Sequence, residues 1–195
     1  MTTPDEMNPG GEFSPIFYKS DRFEIVRNGT FWLSETPEEI GSVGWDAAIT
    51  RIANWTVMTD LSSWQRFLFL NTHFDHRGEQ ARTNSAQLIV EQVLAMADGL
   101  PVIITGDFNV PPTTDAYRAM TSAFADSYLE SMLPPHGPVG TFGGFEVGST
   151  PNDRRIDYVF VTEDIDVLRY GALSDQWNGS YPSDHLPVMV ELELP

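Results

Sequence analysis

The sequence predicts an α/β fold, a layered β-sandwich with helices on its outside. Three observations support this prediction: many short apolar runs bounded by turn residues, one long segment of helical periodicity, and few other helical segments. A chain of 195 residues with 41% hydrophobic content holds one real core and is too short for two comfortable domains. We therefore expect residues 1–195 to form a single domain, with residues 1–10 as a flexible polar tail.

Strands are expected where β-branched and aromatic residues run between turn signals. The chain begins with a strand pair at residues 15–18 and 23–27, joined by a turn at residues 19–22. Residues 31–46 contain proline and glycine and are expected to be irregular. Further strands are predicted, in chain order, at residues 51–59, 66–71, 102–105, 156–161 and 188–194.

Two helices are predicted. The clearer one covers residues 79–98, where apolar side chains recur near one stripe of the helix, at Ala81, Leu88, Val93 and Met96. Gly99 follows as a stop signal. The second helix is expected at residues 114–123, after two consecutive prolines.

The composition excludes several kinds of site. No cysteine occurs, so disulfides and thiolate metal sites are excluded. No apolar run reaches the length of a membrane span, and the N-terminal Met-Thr-Thr-Pro-Asp-Glu does not resemble a signal peptide. We therefore expect a cytoplasmic protein without a membrane span.

The charge balance is strongly acidic. The net charge is −17, and Lys19 is the single lysine among eleven basic residues. An acidic surface repels a polyanion, so a broad nucleic-acid-binding face is not expected without help from a metal or high salt. Two interpretations of the acidity stay open: the surface of a halophile's protein, kept hydrated in brine, or an acidic protein of a mesophile.

The first candidate site lies in Ile-Thr-Gly-Asp-Phe-Asn, directly after the strand expected at residues 102–105. Alternation along an extended chain places Asp107 and Asn109 on the same side, and Gly106 is expected to allow a sharp turn before them. A carboxylate beside an amide can hold a metal or a water and can donate to a phosphate oxygen. An Asx turn that ends the strand is the alternative interpretation.

Two more candidate positions flank the last strands. In Tyr-Pro-Ser-Asp-His-Leu-Pro-Val, Asp184 could ligate a hard cation, while His185 accepts a proton near neutral pH. Asp157 lies among apolar residues and needs a partner if buried, which an imidazole would supply. The alternatives are a solvated surface turn for the Asp-His pair and a salt bridge from Asp157 to Arg154 or Arg155.

His73 follows the strand expected at residues 66–71 and supports a rival hypothesis. The pattern Asn-x-His-x-Asp-His differs by one residue, Asn71, from the His-x-His-x-Asp-His zinc motif of metallo-β-lactamase-like hydrolases. A plainer alternative treats Asp75, His76 and Arg77 as a hydrogen-bonded loop that caps the following helix.

Considered in chain order, four segments resemble the endonuclease/exonuclease/phosphatase superfamily, which has the fold of pancreatic deoxyribonuclease. They are Asn-Thr-His, Gly-Asp-Phe-Asn, Arg-Ile-Asp-Tyr and Ser-Asp-His, and each adjoins a predicted strand. The resemblance runs from about Gly11 to the C-terminus. It implies a DNase I-like layered sandwich and divalent-metal-dependent hydrolysis of phosphoester bonds, with a nucleic acid, a nucleotide or a small phosphoester as substrate.

The resemblance also implies catalytic roles. His185 would be the general base that activates water, and Asp157 would orient it. His73 would contact the scissile phosphate, with Glu12 as its carboxylate partner. These roles suit a transition state that gathers charge on oxygen, because imidazolium and cations relieve that charge.

By the same resemblance, Asp107 would position the attacking water or a metal, and Asn109 would stabilise the charged phosphate oxygens. Asp184 would join Asp107 and Asn109 in the metal site. Magnesium suits carboxylate and amide oxygens, and manganese or calcium could substitute.

One departure from the family pattern affects the metal site. Family members open with a strand carrying an Asn and a strand ending in Gln-Glu, and this sequence contains neither. We therefore expect an N-terminally shortened member that lacks the family's first strands. A homodimer in which a second copy covers the gap is one expectation, and a start assigned too late is the other. A catalytically weak or inactive remnant, acting as a binding or structural domain, stays open as the alternative function.

Because exposed carboxylates repel one another, we expect the protein to melt at a higher temperature in molar KCl than in dilute buffer. Circular dichroism across a KCl series measures the melting temperature, and a parallel sucrose series controls for effects other than screening. A melting temperature that does not change with KCl would contradict the interpretation as a halophile's surface.

Overall fold

The computed structural model describes residues 13–148 and 154–195, so Glu12 and the predicted tail at residues 1–10 lie outside the described residues. The strands are β1 (Phe23–Trp32), β2 (Ile52–Asp60), β3 (Arg66–His73), β4 (Val102–Asp107), β5 (Ala125–Asp126), β6 (Asp157–Val161), β7 (Asp166–Ala172) and β8 (Val188–Glu193). The helices are α1 (Glu79–Ala97), α2 (Asp115–Thr121) and α3 (Ser127–Glu130). None of the helices in the described part is long and apolar enough to cross a membrane.

The strands form two sheets. The larger has the order β1-β2-β3-β4-β6-β5, and the smaller consists of β7 and β8. Strands β3 and β4 run parallel, with α1 as the crossover between them, whereas β1 with β2, β2 with β3, and β4 with β6 are antiparallel. A parallel pair needs such a crossover because the chain must return to the starting end of the sheet.

Two apolar layers hold these elements together, as the predicted layered sandwich requires. One face of the larger sheet packs against α1 and α2 through residues such as Leu70, Ile89, Ile104 and Met120, all fully buried. The opposite face packs against the smaller sheet, where Met58, Phe67, Ile103, Val161 and Val167 are buried. The prediction of an α/β sandwich with helices on an outer face is therefore confirmed.

Several element predictions need correction. Residues 15–18 do not form a strand. The larger sheet instead holds this segment by side-chain amides: Asn54 Nδ2 donates to the Ser14 carbonyl (2.8 Å) and Asn71 Nδ2 donates to the Pro15 carbonyl (3.0 Å). Proline has no N–H for a strand ladder, which favours this arrangement.

Strand β1 continues to Trp32, beyond the predicted end, because it pairs with β2 along its length. Strand β7 was missed, since Asp166 and Arg169 interrupt its apolar alternation and a register shift between Val167 and Arg169 breaks the pattern. Helices α1 and α2 are confirmed with slightly shorter bounds, while β5 and α3 are too short to show a period.

Nothing in this arrangement supports the predicted homodimer, which stays a prediction.

A buried ion pair anchors the start of β6. Arg155 Nη1 lies 2.8 Å from Asp126 Oδ2, and the two side chains are 4% and 1% exposed. The Arg155 guanidinium lies 4.7 Å from the ring centroids of both Tyr128 and Tyr158. Tyr117 donates its hydroxyl to Asp126 (2.8 Å), and burial together with that carboxylate raises the pKa of Tyr117 to about 12.

Removing one member of this pair leaves a buried charge without a partner, so Asp126→Ala should lower the free energy of unfolding by about 3–5 kcal/mol. Urea denaturation measures the loss. The matched control is Asp115→Ala, which breaks the exposed pair with Arg118 and should cost at most about 1 kcal/mol. Equal losses in the two variants would contradict the stabilising role of the buried pair.

Candidate active site

Strand register brings three candidate residues to one edge of the larger sheet. His73 ends β3 and pairs in register with Asp107, which ends β4. Asp107 in turn pairs in register with Asp157, which begins β6. Because β4 is parallel to β3 and antiparallel to β6, the ends of two strands meet the beginning of a third. Residues 34 to 84 positions apart in the sequence thus become neighbours in one row.

A glycine makes this row possible. Gly106 lies inside β4, and a Cβ built there would come within 2.3 Å of the Thr72 carbonyl oxygen on β3. Only glycine permits so close an approach of two backbones. The expected sharp turn at Gly106 is therefore wrong: the residue sits in a strand and serves the pairing of β3 with β4.

His185 completes the site from the segment before β8. Its Nδ1 lies 2.8 Å from Asp157 Oδ2, and its Nε2 lies 3.7 Å from Asp107 Oδ2. The Phe142 ring meets the imidazole edge-on, with centroids 4.9 Å apart. The alternative salt bridge for Asp157 is wrong, because Arg155 pairs with Asp126 and the Arg154 guanidinium lies over the Phe142 ring.

The His185–Asp157 contact shifts both protonation equilibria. The hydrogen bond to the Asp157 carboxylate raises the pKa of His185, and partial burial offsets some of this effect. Burial raises the pKa of Asp157, and the hydrogen bond with His185 opposes that rise. The carboxylate therefore stabilises the protonated imidazole, which is what a base needs after it has taken a proton.

Asp107 uses its two carboxylate oxygens differently. Oδ1 accepts from the Asn109 backbone N–H (2.8 Å), which is the predicted Asx turn. Oδ2 faces the imidazoles and lies 3.1 Å from His73 Nε2. Asn109 has a φ of 51° and donates its side-chain amide to the Phe74 carbonyl (3.0 Å). The Asx turn is therefore confirmed, and it leaves the second Asp107 oxygen facing the imidazoles. The metal- or phosphate-binding role of Asp107 and Asn109 stays a prediction.

Asp184 follows a different pattern from the other candidates. Its backbone carbonyl accepts from Gly143 (2.9 Å) and Gly144 (3.1 Å), and its carboxylate lies 3.4 Å from the Ser183 hydroxyl. Asp184 precedes His185 in the chain, but its carboxylate does not converge with the side chains of Asp107, Asp157 and His185. Its metal-binding role stays a prediction, as does the role of Glu12, which lies outside the described residues.

Within the described part of the chain, the residues of the rival zinc hypothesis do not gather into a metal site. The Asp75 carboxylate is buried and accepts from the backbone N–H groups of Arg77 (2.8 Å), Gly78 (2.7 Å) and Ala48 (2.9 Å). Burial opposes ionisation of Asp75, but these hydrogen bonds hold its pKa below the ordinary range. His76 contacts Arg51 through Nδ1 (3.1 Å). Asp75 is committed to the loop that precedes α1, so the hydrogen-bonded loop of the plainer alternative is confirmed. The predicted cap by this loop is wrong, because Asp46 accepts from the Ala81 N–H at the start of the helix.

The donor set fits a hard divalent cation. Asp107, Asp157 and His185 each offer an atom within 4.8 Å of the others, the one such group in the described ranges 13–148 and 154–195. The contact between Asp157 and His185 uses Asp157 Oδ2 and His185 Nδ1, so it leaves Asp157 Oδ1 and His185 Nε2, together with the Asp107 carboxylate, as atoms that could reach an ion. Carboxylate oxygens are the ligands that magnesium, manganese and calcium prefer.

The cleft beside this group contains residues that the sequence analysis did not identify as site residues. It has a volume of about 360 Å³, and Asn71 and Thr105 line it together with Asp107, Asp157 and His185. Thr105 donates its hydroxyl to Asn71 Oδ1 (3.0 Å). A signal for both residues exists, because each precedes a site residue by two positions on a strand and so shares its face.

Comparisons with solved structures match this fold closely. An endonuclease/exonuclease/phosphatase family protein of Bacteroides thetaiotaomicron is 40% identical, with a TM-score of 0.86 over 91% of this chain and 68% of that one. A mannosyl-6-phosphatase of the same bacterium is 41% identical, with a TM-score of 0.86 over 91% of this chain and 69% of that one.

Sequence comparisons agree. The profile described as Endonuclease/Exonuclease/phosphatase family matches residues 6–185. Nocturnin of Drosophila melanogaster is 25% identical over 97% of this chain but only 34% of its own length. Nocturnin of Rattus norvegicus is 23% identical over 97% of this chain and 46% of its own length. The chain thus spans between a third and a half of these curated relatives.

The His185–Asp157 contact generates a pH prediction. Because the folded-state pKa of His185 is raised, protonating this ring stabilises the fold at low pH, and that contribution is lost as the pH rises through the raised pKa. Asp157→Asn should lower the His185 pKa, which an NMR titration of the imidazole resonances measures. The exposed Asp175→Asn is the control. An unchanged His185 pKa in Asp157→Asn would contradict the assigned cause.

Proposed function

We propose that this chain, which belongs to the endonuclease/exonuclease/phosphatase family, is a divalent-metal-dependent phosphoesterase in which His185 activates water. Members of this superfamily are hydrolases that act on phosphoesters, so the general reaction class follows from the family. The observation that carries the specific proposal is the His185–Asp157 hydrogen bond of 2.8 Å beside Asp107. A carboxylate, an imidazole and an open cleft are what general-base hydrolysis needs.

In this proposal His185 accepts the proton from water, and Asp157 orients the imidazole. The Nδ1–H of His185 donates to Asp157, which leaves the Nε2 lone pair directed toward the cleft. Nε2 takes a proton from water as the water oxygen forms a bond to phosphorus and the bond from phosphorus to the leaving oxygen breaks. Asp157 stabilises the resulting imidazolium, so the base need not be strong in the free state.

In this proposal His73 acts on the phosphate, and Asp107 acts on the metal ion. His73 Nε2 lies 3.1 Å from Asp107 Oδ2, and in this position it could donate to a phosphoryl oxygen. Asp107 would hold the divalent ion, and Asn109 could join it through Oδ1, since its Nδ2 donates to the Phe74 carbonyl. Asp184 is proposed as a further ligand on the family resemblance alone, because its carboxylate does not converge with Asp107, Asp157 and His185. The bound ion would supply positive charge to the phosphate oxygens. The proposal is supported by the acidity of the site, since anionic substrates and two carboxylates repel each other without a cation.

We propose a small phosphoester as the substrate class. The net charge of −17 disfavours a polynucleotide, and a cleft of about 360 Å³ suits a small molecule. The similarity to a mannosyl-6-phosphatase at 41% identity points to sugar phosphates among these. The alternative of an inactive remnant is not favoured, because the four site residues converge with hydrogen-bond geometry.

Replacing the base tests the mechanism. His185→Ala should lower the rate of phosphate release by about 10²–10⁴-fold, because it removes the imidazole that Asp157 holds through Nδ1. The assay follows release of phosphate from a hexose 6-phosphate in Mg²⁺, with nicking of plasmid DNA as the competing substrate. For the wild type, kcat/KM should rise with pH through a pKa above the usual His value of about 6.5.

The matched control is His136→Ala, which removes an exposed imidazole outside the site and should retain activity. EDTA should abolish wild-type activity, and added Mg²⁺ should restore it. Near-full turnover by metal-loaded His185→Ala would remove His185 from the mechanism, and efficient DNA nicking without sugar phosphate hydrolysis would overturn the proposed substrate class.

A further inference from the structure

A threonine behind the site fastens the strand that carries Asp157. Thr141 is fully buried, with 0% exposure. Its Oγ1 accepts from two successive backbone N–H groups, those of Ile156 and Asp157, both at 3.1 Å. Its own backbone N–H donates to the Arg154 carbonyl at 2.9 Å. One residue thus holds three consecutive peptide units at the entrance to β6.

The same residue also fastens the segment that carries His185. The Thr141 carbonyl accepts from the Leu186 N–H at 2.7 Å. Phe142, the next residue, forms an isolated antiparallel bridge with His185 and places its ring against the imidazole. Gly143 continues the contact by donating to the Asp184 carbonyl at 2.9 Å. Residues 141–143 therefore hold the segment at residues 184–186 by backbone hydrogen bonds.

Thr141 takes part in both sets of contacts: its side chain and backbone N–H hold residues 154–157, and its carbonyl holds Leu186. Asp157 and His185 are 28 residues apart, and β6 and the segment before β8 reach the site separately. Their hydrogen bond of 2.8 Å holds only while both segments keep their relative position. We propose that Thr141 is a positioning residue that sets the Asp157–His185 distance, an inference that rests on the proposed role of this pair in proton transfer.

The hydroxyl is the group that matters in this proposal. A valine fills nearly the same volume but leaves the Ile156 and Asp157 N–H groups buried without an acceptor, which is unfavourable and displaces the backbone. A serine keeps the acceptor and loses one methyl group. The two substitutions therefore separate the hydrogen bonds of Thr141 from its packing.

The test compares Thr141→Val with Thr141→Ser in the full chain. The first readout is the downfield proton resonance of His185 Nδ1–H, whose position reports the hydrogen bond to Asp157; it needs no turnover. We expect Thr141→Val to shift this resonance upfield or broaden it, and Thr141→Ser to retain it. The second readout is kcat, expected to fall about tenfold to a hundredfold in Thr141→Val, with KM nearly unchanged.

A purely structural role would lower the melting temperature of Thr141→Val without moving the resonance or kcat, and that result would overturn the proposal. Should Thr141→Val not fold, Thr141→Ala removes the same acceptor with less bulk and is subject to the same criteria. If the resonance responds as expected in a chain that hydrolyses no phosphoester, the proposed function fails while the positioning role stands.

Discussion

The pairing of β3 with β4 is the constraint on which the site depends. Both strands end at the same sheet edge, and the approach of their backbones at Gly106, where a Cβ would lie 2.3 Å from the Thr72 oxygen, leaves no room for a side chain. A register slip of one residue would turn His73 and Asp107 toward the helix layer. The apolar core of the sandwich therefore determines which polar residues meet at its edge.

Strand β6 is held from both sides of the sheet. On the helix side, Arg155 is buried between tyrosine rings and paired with Asp126. Tyr158 lies on the same side, and its hydroxyl has two carbonyl acceptors within reach, those of Val110 at 2.8 Å and Arg155 at 2.7 Å. On the other side, Thr141 accepts from the Asp157 N–H. Because strand β6 is held by these contacts, the Asp157 carboxylate can keep the His185 imidazole in one orientation, which favours catalysis by positioning.

The electrostatics of the site suit a reaction that needs cations. Asp107 Oδ2 lies between two imidazoles, at 3.1 Å from His73 and 3.7 Å from His185. The hydrogen bond to Asp157 raises the pKa of His185, and the nearby Asp107 and Asp184 charges act in the same direction. In a protein of net charge −17, a divalent ion would supply the charge that an anionic substrate requires.

The sequence alone determined the fold class, the main helix and most strands, because period and turn chemistry are local properties. Its resemblance to the family singled out the four segments of the candidate site. The sequence could not assign residues 15–18, whose amide contacts come from distant strands, nor β7, whose pattern is broken by charge. It also left open whether Asp157 pairs with an arginine or a histidine. Only the tertiary structure decided that, since strand register and the contacts of Thr141 join residues far apart in the chain, and no local pattern records such distances.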